Sequence, residues 1–367
     1  MIVHDPLSVD AKLLAAWDDL AEAAVEPNPF AESWYVVPGL KEFDPKQRAR
    51  LYALWRDDEL MGIIPITQSP RYGRFPISHQ TNWTHANCFL GTPLIRRGWE
   101  PRFWDALLVA LDGNAQAHRL FYLLGLVKGG PVHQSLIAAC ARQGRNCDIV
   151  FSEARAMIET SLTPSDYWDD AVRGKKRKEL RRQANRLAEL GDVRFESLAA
   201  SDPVGPWVQQ FLALERSGWK GEAGSALGSS GDTRQFFEEV VAAAHERGRL
   251  EGLALLLDDK PVAMLFHFIA GEGGFSFKTA YDEDYARFSP GVLIQRENLG
   301  LLARRNLKWI DSCAAPDHPM INSLWKERRE VVRIAVSIGG WSDRLMFNGV
   351  RTLERLRAWS KGKKDGA

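Results

Sequence analysis

The sequence predicts an α/β (α+β) protein of two related halves, each a mixed, mostly antiparallel sheet flanked by helices. Three observations carry this expectation. Apolar residues recur at helical spacing in some segments and alternate or run continuously in others, so helices and strands interleave along the chain. Two stretches, LYALWRDDELMGIIPI and LEGLALLLDDKPVAMLFHF, repeat the order strand, short acidic turn, strand. The 367 residues also exceed one ordinary domain of about 150. We therefore expect domains at 1–160 and 161–367, the second ending in an amphipathic helix.

Composition narrows the function classes. The 45% apolar and 26% charged residues are ordinary for a globular chain with packed cores. Lys and Arg number 48 against 47 Asp and Glu, a formal charge of +1, so no global field draws in nucleic acid, and nucleic acid is not an expected partner. Cys88, Cys140, Cys147 and Cys313 lack CxxC spacing and matching histidine pairs, which argues against a disulfide framework and against a structural metal. Asp5, Asp10, Asp18 and Asp19 interrupt the N-terminal stretch where a signal peptide is apolar. The longest apolar runs, 253–257 and 262–270, fall short of the roughly 18 to 20 residues that span a bilayer. A cytoplasmic protein is expected, with peripheral contact to the inner membrane left open.

Asp10 caps a helix expected over 11–24, which Pro27 and Pro29 end. Residues 50–55 and 60–66 read as a hairpin around Arg56-Asp57-Asp58-Glu59, with further strands at 75–79 and 89–95. Helices follow at 101–111 and 132–142, with extended segments at 120–126 and 148–159. The second half opens with a long basic helix over about 163–190, then a strand at 193–197 and helices at 206–217 and 233–246. Strands at 250–257 and 262–269 flank Asp258-Asp259-Lys260, and a third covers 273–279. A helix over 290–305, a strand at 309–312, a short helix at 320–325, a strand at 331–338 and a helix at 342–360 complete the chain.

The most informative stretch runs from Gly273 to Gly291, where a strand passes into a polar loop and Ser289-Pro290-Gly291 opens a helix. Pro290 suits a first helical position, and Gly291 lets a ligand approach the backbone. The unpaired N–H groups of such a helix start attract anions, for instance the diphosphate of coenzyme A or the phosphopantetheine of a carrier protein. A plain helix cap is the competing explanation.

Followed onward through WIDSCAAPDHPMINSLWKER, this stretch resembles the GNAT-superfamily N-acyltransferases of the cellulose-biosynthesis type, relatives of the Fem-type aminoacyl transferases with tandem GNAT-like domains. The resemblance rests on the aromatic-Lys strand ending in Tyr281-Asp282, on Ser289, Pro290, Gly291 and Val292, on the strand ending in Asp311, and on Leu324-Trp325-Lys326. It covers about 165–335 well and the first half loosely. It implies transfer of an acyl group from acyl-CoA, or from an acyl carrier protein, to a primary amine. The thioester is then expected in a wedge between two parallel strands that splay apart, at 276–280 and 309–312. Two departures suggest specialisation: Ser312 to His318 replaces a glycine-containing stretch, and the RxxGxG/A phosphate loop of single-domain relatives is absent.

An alkylamine must lose a proton before its nitrogen attacks, since its reference pKa is about 10.4. Asp311 and His318 are the candidate bases, one orienting the other; a helix-capping Asp and a surface His is the bland alternative. Lys278 and Tyr281 flank the expected carbonyl as oxyanion stabiliser or as acid for the leaving thiolate. By the resemblance, Trp219, Lys220 and Trp325 lie near the ligand, and His85 is a loop candidate for the acceptor cleft. His267 reads as a satisfied core residue and Cys313 as inert packing. The closing helix places Met346, Val350, Leu353 and Leu356 on one face amid Arg and Lys, and 174–186 is strongly basic. Either these elements meet an anionic membrane or they pack on the protein's own sheet and solvent. A lipid amine, such as the sphingoid base of bacterial ceramide synthesis, leads an amino sugar of exopolysaccharide synthesis as acceptor. A catalytically silent GNAT-like scaffold is the rival from another class.

Overall fold

The computed structural model describes residues 1–113, 119–217, 227 and 230–364. In chain order its elements are β1 (Ile2–His4), α1 (Ala11–Ala23), α2 (Ser33–Phe43), β2 (Arg50–Arg56), β3 (Glu59–Ser69), β4 (His79–Asn82), β5 (Leu94–Ile95), α3 (Glu100–Asp112), β6 (Leu120–Val127), α4 (Pro131–Arg142) and β7 (Cys147–Glu159). Then come α5 (Pro164–Ala171), α6 (Gly174–Ala188), β8 (Val193–Ser197), α7 (Val204–Ser217), α8 (Gly231–Glu246), β9 (Leu250–Leu257), β10 (Lys260–Ala270) and β11 (Gly273–Tyr281). The chain continues with α9 (Pro290–Asn298), β12 (Trp309–Asp311), β13 (Glu327–Ser337) and α10 (Trp341–Lys364). The architecture is mixed α/β, mostly antiparallel and flanked by helices, as the pattern predicts.

The chain forms two compact units, and neither is a continuous segment. The first comprises 1–33, 46–153 and 331–367; the second comprises 34–45 and 154–330. This corrects a single division at 160/161. The physical reason is that β13 pairs antiparallel with β6, from Val331↔Val127 to Ser337↔Leu120, so the C-terminal strand completes the first sheet. Phe347 and Val350 of α10 then bury against Tyr72, Leu120 and Ala335 of the same unit.

In the first unit the strands run in the order β1, β2, β3, β4, β6, β13. Asp10 Oδ1 accepts the Leu13 N–H at 2.8 Å, the cap expected for α1. Phe103, Trp104, Leu107, Leu108 and Leu111 line one face of α3 and pack on Phe121, Leu123, Val332 and Ile334. Of α10's expected apolar face, Val350 is buried and Met346 half-buried, while Leu353 and Leu356 stay exposed. The exposed apolar strip instead joins these two to Trp341, 76% exposed, and Leu345. Among the described residues no helix is long and apolar enough to cross a membrane.

In the second unit the order is β7, β12, β11, β10, β9, β8. One sheet face carries Phe266, Phe268 and Phe277, which meet Phe211 of α7, Phe237 of α8, and Trp34 and Tyr35 of α2 at ring separations such as 5.0 Å for Trp34–Phe268, while Phe236 of α8 meets Tyr35 at 5.2 Å. Each such pair is worth about 0.5–1.5 kcal/mol beyond its buried area. The other face packs on α9 through Leu253, Leu255, Leu265, Leu293 and Ile294. The single basic helix expected over 163–190 is two helices. Val172 is extended (φ −108, ψ 122) and buried, so its side chain joins the core at the cost of helical continuity.

Candidate active site

Each unit contains one place where two parallel strands separate. In the first, β4 and β6 pair at Gln80↔Phe121 and Thr81↔Tyr122 and then part. The chain itself bridges the opening, and a cavity of about 220 Å³ lined by Gly91, Leu124 and Gly125 remains beside the bridge. Asn82 Oδ1 accepts the Leu124 N–H at 2.7 Å, and its Nδ2 donates to the Leu124 carbonyl at 2.9 Å and the Gly91 carbonyl at 3.1 Å. The Gly91 N–H donates to the Gly125 carbonyl at 2.9 Å. A Cβ at Gly91 would stand 2.0 Å from the Leu124 oxygen, so only glycine permits this insertion. It also explains why β5 is confined to Leu94–Ile95 where a longer strand over 89–95 is expected.

In the second unit β11 and β12 pair at Gly273↔Trp309, Gly274↔Ile310 and Phe275↔Asp311, and the parallel ladder ends there. A bulge follows at once: His267 faces Ser276 while Phe266 faces Lys278, leaving Phe277 as the extra residue. A bulge bends its strand and increases its twist, here turning the rest of β11 away from β12. The separation therefore starts at Ser276, where the splayed wedge is expected.

Asp311 stands at the apex, fully buried (0% exposed). Arg155 of β7 grips both its oxygens, Nε to Oδ1 at 2.8 Å and a terminal nitrogen to Oδ2 at 2.7 Å, and Arg329 reaches Oδ2 at 3.0 Å. Arg329 also lies 3.8 Å over the Trp309 ring, and the Cys313 N–H donates to Oδ1 at 2.9 Å. Burial pushes the Asp311 carboxyl up, but Arg155 and Arg329 outweigh it and hold the group below the usual carboxylate range. This corrects the expectation of Asp311 as base: the carboxylate has no open lone-pair direction toward an amine and resists protonation. It is a structural tie between β7, β12 and β13. No motif marks either arginine; the one signal in the sequence is Arg155 beside Ala156, Met157 and Ile158, an arginine inside a strand that turns inward.

His318 precedes the short helix Pro319–Asn322 and caps it, Nδ1 taking the Ile321 N–H at 3.3 Å. A backbone N–H only donates, so Nδ1 is the acceptor and the neutral ring carries its proton on Nε2. The cap thus presents a hydrogen-bond donor, which corrects the reading of His318 as a base, and no hydrogen bond joins it to Asp311. Tyr281 ends β11 and lies against the first turn of α9, since a Cβ built on Gly291 would be 3.3 Å from its ring and 3.6 Å from Met320 Sδ. Tyr281, Gly291 and the 318–320 turn therefore do come together. The Tyr281 hydroxyl makes no hydrogen bond among the described residues. Lys278 lies 5.5 Å over Phe277, and strand alternation sends it to the sheet face opposite Tyr281.

Ser289, which leads into α9, adopts a left-handed conformation (φ 54, ψ 49), and its carbonyl accepts from the Val292 and Leu293 N–H groups. With Pro290 lacking an N–H, the Gly291 amide is the one in the first turn without a backbone acceptor among the described residues, and Gly291 itself is buried. Trp325 is corrected to a core residue: at 1% exposure it packs with Ile158, Trp168, Ile321 and Leu324 and cannot line a ligand. Trp219 and Lys220 lie outside the described residues. His85 belongs to the first unit, where Nδ1 accepts from the Asn87 N–H at 3.4 Å and the ring meets Trp83. His267 is buried against Asn298 and the Phe275 backbone, and burial pushes it down to about 4, so it is neutral near pH 7. Among the described residues no three His, Cys, Asp or Glu side chains converge as a metal requires.

Residues 174–319 match the family model of the acetyltransferase (GNAT) domain. Solved structures with a similar fold include FemX, at 10% identity over 92% of this chain and 97% of that chain with a TM-score of 0.60. Another is the C-terminal domain (DUF2156) of a putative lysylphosphatidylglycerol synthetase from Agrobacterium fabrum, at 13% identity over 93% and 96% with a TM-score of 0.55. L-PGS from Bacillus licheniformis is similar at 12% identity over 92% and 94%, with a TM-score of 0.52. No curated protein sequence matches. At such identities the likeness speaks for the fold.

Proposed function

We propose that this chain is an N-acyltransferase that takes an acyl group from a thioester, acyl-CoA or an acyl carrier protein, and places it on a primary amine. The observation that carries the proposal is the strand separation of the second unit. Asn82 and Gly91 bridge the separation of the first unit, while that of the second, where the β11–β12 ladder ends at Phe275, lies on the strand that runs on to Tyr281 and Gly291. Ser289, Pro290, Gly291 and Val292 form the donor's anion cradle, and backbone groups of β11 beyond Phe275 meet its amide chain.

The amine enters as its neutral fraction, and its nitrogen attacks the thioester carbonyl carbon. The His318 Nε2–H steadies the oxyanion, the C–S bond breaks, and the Tyr281 hydroxyl protonates the departing thiolate; the proton lost by nitrogen passes to water and Tyr281 is reprotonated from solvent. Amine-dependent release of free thiol from acyl-CoA and acyl carrier protein tests the reading, with a sphingoid base and glucosamine as acceptors. Absence of release from every pair leaves a silent scaffold as the better description. Gly291→Val shields the Gly291 amide and crowds Tyr281, and is expected to raise KM for the thioester about tenfold, the scale of one charge-assisted hydrogen bond. An unchanged KM removes the cradle.

We place the lipid amine first because of Trp341, Leu345, Leu353 and Leu356, an exposed apolar strip suited to a lipid surface. Full-length protein is expected to sediment with phosphatidylglycerol vesicles, and Trp341→Ser with Leu345→Ser to reduce this severalfold. Equal sedimentation of both proteins, or none by either, shifts the acceptor to a soluble amine such as an amino sugar.

A further inference from the structure

Helix α9 buries a polar stripe where an amphipathic helix ordinarily buries apolar residues. Gly291, Gln295 and Asn298 recur at the i, i+4, i+7 spacing of one helical face, and all three are buried. The flanks of that face fix what it covers. Val292 and Leu299 pack with Ile158 of β7 and Ile310 of β12, whereas Ile294 packs with Leu253 and Leu255 of β9 and Leu265 of β10. The stripe between them therefore lies over β11, whose ladder with β12 ends at Phe275. Its two ends agree with this placement: Gly291 meets Tyr281 at the end of β11, and Asn298 meets His267 of β10, which also touches the Phe275 backbone.

Gln295 sits in the middle of the stripe at 1% exposure. Its Oε1 accepts from Asn298 Nδ2 at 3.4 Å, which turns the amide nitrogen away from Asn298, and Nε2 has no hydrogen-bond partner among the described residues. Buried amide groups are as a rule satisfied, because a buried donor without an acceptor is costly, so this nitrogen marks where a further acceptor belongs. The Gly291 amide, also without a backbone acceptor among the described residues, lies one turn earlier on the same face, about 6 Å along the helix axis. A phosphate held at Gly291, with the rest of its molecule running along β11, brings that molecule past Gln295. The pantetheine arm shared by coenzyme A and carrier proteins presents amide carbonyls along its length. We propose that Gln295 Nε2 donates to an amide carbonyl of this arm and clamps the donor one helical turn beyond its phosphate. The assignment rests on the thioester reading above and adds to it a side chain that no motif marks.

Calorimetric titration of the full chain with coenzyme A and with holo acyl carrier protein, the two sources of that arm, tests the clamp without turnover. Gln295→Met keeps the length of the side chain and removes its donor. It is expected to weaken whichever ligand the wild type binds by about tenfold, the effect of one hydrogen bond. Because Nε2 makes no bond in the free protein, the same variant is expected to melt at or above the wild-type temperature without ligand. Gln295→Asn keeps the amide but withdraws it by one carbon; it is expected to weaken binding as well, and it carries the comparison if the Met variant does not fold. Equal affinity in wild type and variant means that the nitrogen meets only water, and overturns the clamp while leaving the acyl-transfer reading intact. A Gln295→Met protein that melts well below the wild type makes the amide structural and overturns the clamp too. Failure of the wild type to bind either ligand removes the clamp along with the donor site, and thiol release judges the acyl-transfer reading separately.

Discussion

Asp311→Asn is expected to destabilise the protein by about 3–5 kcal/mol at pH 7, the cost of removing one partner from a buried ion pair. The substitution keeps the shape but strips the counter-charge from Arg155 and Arg329, which are themselves almost fully inaccessible. The pH dependence has a defined sign. Asp311 has its folded pKa depressed, so its stabilisation is complete above the unfolded value of about 3.9 and is lost as pH falls through the folded pKa. The gap between wild type and Asp311→Asn is therefore expected to be full at pH 7 and to narrow below about pH 4. Urea unfolding at both pH values measures it. If the variant unfolds like the wild type while its transfer rate collapses, Asp311 is a proton acceptor after all and the structural assignment fails.

Much of the fold is legible in the sequence because the two hairpins and the α3 stripe are set by local periodicity. The missing pieces are those decided by distant partners. Helix α2 contains Pro38 and follows Pro29, signals that argue for a break, yet Trp34 and Tyr35 are buried by Phe236, Phe268 and Phe277. Tertiary packing overrides the local preference there. The assignment of β13 and α10 to the first unit likewise depends on pairing with β6, some two hundred residues away in the chain, which no window of sequence displays.

At the site the split is similar. The bulge, the end of the β11–β12 ladder and the convergence of Tyr281 with Gly291 all lie on the stretch from Gly273 to Gly291. The roles of Asp311 and His318 were hidden, because a carboxylate and an imidazole acquire their chemistry from their hydrogen-bond partners. Arg155 comes from a strand read only as extended, and the Ile321 N–H that fixes the imidazole tautomer exists only once the short helix forms. The bridge across the gap of the first unit is equally hidden, since the three hydrogen bonds of Asn82 span as many as 42 residues.

His318→Ala is expected to lower kcat for acyl transfer by about 10²–10³, the scale for losing one oxyanion donor, and to leave melting nearly unchanged because the cap spans a single short turn. The pH profile separates its two conceivable roles. With Nδ1 held by the Ile321 N–H, the ring supplies Nε2–H and takes no proton from the amine. The rate then follows the neutral fraction of the amine: kcat/KM rises about tenfold per pH unit toward the amine's own pKa, and His318→Ala lowers the line without bending it. His318→Gln, whose amide N–H can donate but whose side chain cannot act as a base near neutrality, is expected to recover part of the lost rate. Should the wild-type profile instead show an inflection near the ordinary histidine range of about 6.5 that both variants abolish, the imidazole accepts the amine's proton and must let go of Ile321 to do so.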